Sequence, residues 1–199
     1  NPLEQPPVPK ILLRQWGGTL VMEYKVAPNR FMIGGEVGAA SGDGAPGFGN
    51  VPGLGPTPYG SLEGARWSRT GDRSIRNFRF NPAYRVDLVL FHTILGGVTD
   101  AFYLKPKLRW DILPGLWLDE AIVYSRALEK GSTPSVNSRG TGGSADIGIE
   151  LDSQLTYSSG DGFMAWAQWG VLQPLSGLEI QSHHAGRGHL FALGVAAKF

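Results

Sequence analysis

A chain of 199 residues with no cysteine, 18 lysines and arginines against 17 aspartates and glutamates, and a formal net charge of +1 excludes a disulfide-stapled scaffold, a thiolate metal site and the basic footprint of a nucleic-acid binder. The 29 glycines and 14 prolines point to many turns and long loops rather than to a helical protein. No apolar run reaches the roughly 18 residues of a spanning helix. A mean hydropathy of −0.11 still admits a membrane barrel, whose inward positions are polar.

Residues 1–15 are rich in proline and read as an extended arm or surface loop, without the charged start and apolar core of a leader. Residues 16–26 then alternate, with Leu20, Met22, Tyr24 and Val26 on one face and Thr19, Val21, Glu23 and Lys25 on the other. After a turn at 27–30, residues 31–39 set Phe31, Ile33 and Val37 against Met32 and Glu36. A long stretch at 42–97 follows, within which residues 86–95 suit a short amphipathic helix or a strand.

Residues 101–112 set Phe102, Leu104, Leu108 and Trp110 against Tyr103, Lys105, Lys107, Arg109 and Asp111. Leu113, Pro114 and Gly115 make a tight turn, and 116–126 is the least regular strand because Asp119 and Glu120 are neighbours. A bulge there would restore the alternation. Beyond a Gly/Ser/Thr loop at 129–144, residues 145–157 place Ile147, Ile149, Leu151, Leu155 and Tyr157 opposite Asp146, Glu150, Asp152, Gln154 and Thr156. After a short turn, 163–172 presents Phe163, Ala165, Ala167, Trp169 and Val171 on one face. A loop at 174–187 precedes the last strand, where Phe191, Leu193, Val195, Ala197 and Phe199 oppose Leu190, Ala192, Gly194, Ala196 and Lys198.

This is an all-β chain of about seven strands, each near the roughly 9–11 residues that a tilted strand needs to cross a bilayer. Short and long connections alternate, as in outer-membrane barrels with periplasmic turns and extracellular loops. The expected architecture is a transmembrane antiparallel β-barrel over 16–199 with a long extracellular loop at 42–97. Phe199 resembles the C-terminal aromatic signal of such barrels. With the last strand running inward, residue 16 starts its strand from outside, so the chain is expected to be the C-terminal section of a larger, even-stranded barrel. The alternative is an eight-stranded barrel whose extra strand lies within 74–95. Trp16, Tyr24, Phe31, Phe102, Trp110, Tyr157 and Phe163 sit mainly near strand ends on the apolar face, where interfacial girdles belong.

Three runs carry a family resemblance: Phe78-Arg79-Phe80-Asn81-Pro82, Tyr84-Arg85-Val86-Asp87-Leu88, and Ile94-Leu95-Gly96-Gly97-Val98-Thr99-Asp100-Ala101. Tyr103-Leu104-Lys105-Pro106 and Gly170-Val171-Leu172-Gln173-Pro174-Leu175 extend it. Residues 78–199 resemble the C-terminal part of a family of large, uncharacterised outer-membrane proteins from myxobacteria and relatives, and more faintly alginate-export-type barrels. The resemblance implies a location and a fold, and brings no catalytic motif.

Charge provides the candidate sites. Lys105, Lys107 and Arg109, with Asp111, lie on one side of a strand about 7 Å apart. A row facing lipid would be costly, so they are expected to line the lumen together with Glu36. Asp146, Glu150 and Asp152 form the opposite row one strand further on, about 10 Å away. Such a transverse field can sort solutes, or the two rows can pair and fill the interior. In the long loop, Arg66, Arg69, Arg73 and Arg76 are candidates for lipopolysaccharide phosphates. His183, His184 and His189 read as solvated loop residues, and no nucleophile or phosphate-loop motif is present.

The expected function is therefore a porin-like, passive channel or transport wall in a bacterial outer membrane, without enzymatic chemistry, cofactor or metal. Its expected partners are the bilayer, lipopolysaccharide and the rest of the barrel as a separate chain. The alternative from another class is a plugged structural barrel whose loops scaffold a surface assembly or filament. A soluble β-sandwich is a third possibility.

Overall fold

The computed structural model describes residues 12–27, 30–45, 47–49, 74–135, 143–180 and 184–198. Two short strands, β1 (Leu12–Leu13) and β4 (Ser74–Ile75), form a small parallel pair. Seven long strands form one antiparallel sheet: β2 (Gly17–Ala27), β3 (Phe31–Ala40), β5 (Ala101–Leu113), β6 (Leu116–Ala127), β7 (Asp146–Ser158), β8 (Phe163–Pro174) and β9 (Gly188–Ala197). They neighbour one another in chain order, and the outer strands β2 and β9 do not pair. The sheet is open.

The connections sort by length. At one end lie the short turns β2–β3, β5–β6 and β7–β8; at the other lie the long β3–β5, β6–β7 and β8–β9 loops. Pro114 and Gly115 show why the turns can be so short. Proline presets the first central position, and Gly115, at φ 78°, takes a left-handed conformation without a Cβ clash.

The two faces differ in chemistry. One carries Leu20, Met22, Tyr24, Ile33, Leu104, Leu108, Trp110, Ile122, Ile149, Leu151, Leu155, Trp169 and Phe191, all exposed. Leu193 and Val195, on the outer strand β9, are 70% and 73% accessible. Near the turns this face gathers aromatic rings: Phe31 stacks on Trp110 at 6.2 Å and Tyr157 lies 6.4 Å from Phe163.

The other face is polar, and the buried core lies on it at the loop end. Val86, Val89, Leu90 and Phe91 from the β3–β5 loop meet Tyr103, Val123, Ile147 and Leu172 from the sheet. Residues 74–95 hold the two-residue β4 and a π-helical turn, Leu90–Ile94. The extra spanning strand considered for that stretch is replaced by a segment folded back onto the sheet.

Two details of register differ from expectation. The β6–β7 pairing shifts between Ser125 and Arg126, with Ser125 opposite Gly148 and Arg126 opposite Asp146. The extra residue, Ile147, turns into the core and is fully buried. Asp146 is thereby thrown onto the apolar side, where Tyr124 Oη donates to it at 2.8 Å and Arg126 lies 3.7 Å away. Asp146 thus leaves the acidic row that simple alternation assigns it. Conversely, the register stays regular through Asp119 and Glu120. Glu120 sits on the apolar side and accepts a bond from Ser153 Oγ at 2.7 Å.

Candidate functional site

The charged face is built in levels across the strands. One level aligns Glu23, Gly34, Lys107, Ala121, Asp152 and Gly170; the next toward the loops aligns Val21, Glu36, Lys105, Val123, Glu150 and Leu172. A third, nearer the turns, contains Lys25, Met32, Arg109, Asp119, Gln154 and Gln168. The two rows expected from sequence therefore do stand on one face with β6 between them, apart from Asp146.

At the loop end these charges hold backbone. Glu150, 1% exposed, accepts the amides of Leu88 at 3.0 Å and Val89 at 2.6 Å on Oε1, and of Leu90 at 2.9 Å on Oε2. It gathers the orphan amides at the start of the π-helical turn. Lys105 Nζ donates to the carbonyl of Val86, so cation and anion clasp the same segment from two strands.

Glycines allow this close approach. A Cβ on Gly170 would stand 3.0 Å from both Leu88 Cβ and Val89 Cγ2, and one on Gly188 would stand 3.3 Å from Val89 Cγ1. Within the segment, Asp87 accepts the amides of Phe91 and His92 at 2.9 Å. Burial, helped by the neighbouring Glu150 carboxylate, pushes the Asp87 carboxyl up to about 7.

Glu36 is the second anchor. Its Oε1 accepts from Tyr103 Oη at 2.6 Å and from Tyr84 Oη at 2.9 Å, tying the loop to β3 and β5. Tyr103 lies across Gly38, where a Cβ would come 2.5 Å from its ring. Nearby, buried Asp100 accepts the Glu129 amide at 2.7 Å and the Ser132 hydroxyl, linking two long loops. Burial also raises this carboxyl, to about 7.

Toward the turns the face opens. A cavity of about 460 Å³ is lined by Glu23, Arg85, Lys107, Arg109, Asp119 and Asp152 among others. Lys107 pairs with Glu23 at 3.2 Å across Gly34, which has no side chain to intervene. Arg109 bonds Asp111 at 3.1 Å and lies 4.5 Å over the Trp117 ring, while Gln168 donates to Gln154 at 2.6 Å. One acidic oxygen, Asp152 Oδ1, is buried without a hydrogen-bond partner.

Sequence reasoning missed Asp87, Tyr84 and Tyr103 as anchors. A detectable signal was the placement of Gly148, Gly170 and Gly188 in strands β7 to β9, since such glycines mark close backbone approach. Arg66, Arg69, Arg73, His183 and Phe199 lie outside the described residues. Arg76 does not project alone: its Nε donates to Ser74 Oγ at 3.0 Å and its amide to Asp43 at 3.1 Å. His184 pairs with Glu179 at 2.7 Å, and His189 stands on β9 opposite Val171. Among the described residues no group of three or more His, Cys, Asp or Glu could hold a metal, and no helix is long and apolar enough to cross a membrane. No family model, curated protein or solved structure matches the chain.

Proposed function

We propose that this chain forms part of the wall of a bacterial outer-membrane β-barrel, a passive and non-enzymatic conduit. Its lumen is charged near the turns and narrowed near the loops by residues 85–97. One observation carries the reading: the apolar face is exposed while the charged face receives the loop, an inside-out arrangement suited to hydrocarbon on one side and water on the other. The sorted loops and the aromatic rings near the turns support the same orientation. Lys107, Arg109, Asp119 and Asp152 would bias which solutes pass, and Glu150 with Lys105 would hold the constriction.

The buried apolar contact of Val86, Leu90 and Phe91 with the sheet favours a second reading, a permanently plugged barrel whose loops scaffold a surface assembly. Single-channel recording in planar bilayers separates the two. A conduit gives steady conductance whose ion preference moves toward cations in Lys107→Glu. A scaffold is electrically silent both as wild type and as Glu150→Gln.

A further inference from the structure

The two outer strands offer long pairing edges. In any sheet, roughly half of an edge strand's amides and carbonyls point away from its one neighbour. Natural edges are usually blunted by proline, charge or a strong bulge. Strand β9, Gly188–Ala197, has neither proline nor a Lys, Arg, Asp or Glu. Strand β2 is regular from Gly17 to Lys25, with its single register shift beside Ala27. In a hydrocarbon setting both edges must be paired, since no water reaches them.

Strand direction restricts the pairing. Because seven strands alternate in direction, β2 and β9 both run from the loop end to the turn end. A direct β2–β9 seam would be parallel in an otherwise antiparallel sheet. A second copy in the same membrane orientation has the same fault, since it also presents only strands running toward the turns. An antiparallel closure needs an inserted set whose first and last strands both run the other way, and therefore an odd number of strands.

Space sets the minimum. An eight-stranded barrel leaves an interior just wide enough for side chains, whereas this polar face also carries the backbone of residues 85–97. One added strand is too few.

We infer that the sheet is completed by another polypeptide segment, an amphipathic β-meander of three or more strands, odd in number, that pairs with β2 at one end and β9 at the other. The inference rests on the barrel reading above. The chain has no cysteine, so introduced thiols are unique within it. Pairs combining Leu20→Cys, Met22→Cys or Tyr24→Cys on β2 with Phe191→Cys, Leu193→Cys or Val195→Cys on β9 are spin-labelled in the native assembly in lipid. Three inserted strands put four interstrand steps between the edges, so the shortest backbone separation is expected near 19 Å or more along the wall, with no disulfide on oxidation. A disulfide between β2 and β9, or a separation near 10 Å, would overturn it by showing a direct seam or a single strand. Disulfide-linked dimers formed between the Met22→Cys variant and the Leu193→Cys variant when the two are mixed would overturn it in favour of a second copy. A nitroxide at Leu104→Cys keeps the two failures distinct. If it relaxes with lipid-soluble oxygen while the edge distance is short, only the inserted meander falls. If water-soluble reagent reaches it, the barrel reading falls and the inference with it.

Discussion

Near the loops, Glu150 and Lys105 are bonded to backbone amides and a carbonyl of residues 86–90. Two residues further along the same strands, Asp152 and Lys107 line an open cavity. The residue classes are alike; what lies over them differs. Level with Glu150, Gly188 lets the returning segment approach the sheet, and Glu150 and Lys105 become anchors within an apolar core. One level nearer the turns, Lys107 pairs with Glu23 beside the cavity that Arg109 and Asp119 also line, while Asp152 Oδ1 is buried beside Gly170. One charged face thus anchors the returning loop at one end and lines an open cavity at the other.

The largest expected effect lies at the anchored end. Glu150→Gln replaces one accepting oxygen by an amide donor facing backbone N–H groups, and should cost about 3 kcal/mol of loop docking. Hydrogen exchange at Leu88, Val89 and Leu90 should then accelerate about 100-fold. Unchanged protection would remove Glu150 as the clasp. Gly170→Val should displace the same segment by overpacking, at about 2 kcal/mol, seen as cleavage by trypsin after Arg85 in the variant and not in the wild type. Tyr103→Phe removes one donor to Glu36 but leaves Tyr84, so a loss of about 1 kcal/mol in denaturant unfolding is expected.

A pH effect of intermediate size accompanies these. A carboxyl raised to about 7 in the folded protein favours its protonated form there. Asp87 therefore supports docking fully below about pH 4, and that support is lost as pH rises through about 7. Conductance should increase over that interval and flatten in Asp87→Asn; a rise on acidification would reverse the sign. At the open end, Lys107→Gln should change stability by less than about 0.5 kcal/mol while shifting reversal potential. A large loss of stability there would erase the distinction between the two ends.

The strands were legible because period-two alternation survives in nearly every one, and the loop lengths reveal direction without any pairing information. The charged face was legible for the same reason at Lys105, Lys107, Arg109, Glu150 and Asp152. Asp146 was not, because a bulge at Ile147 depends on the partner strand's register and inverts everything beyond it. Glu120 misled in the opposite sense: Ser153 accommodates it on the apolar side, so no bulge is needed at Asp119. The returning segment was legible only as a choice between helix and strand. Its docking depends on a carboxylate about 60 residues away in sequence, which local pattern cannot specify.

Adjacent positions on β7 offer the sharpest test of which face meets lipid. Single cysteines at Leu151, Gln154, Leu155 and Thr156, each carrying a fluorophore, are compared in membranes containing brominated lipid and with a water-soluble quencher. Bromine should quench Leu151 and Leu155 alone, and the soluble quencher should reach Gln154 alone while buried Thr156 resists both. Equal aqueous quenching at Leu151 and Gln154, with no effect of bromine at either, would show that the apolar face of this sheet does not meet hydrocarbon.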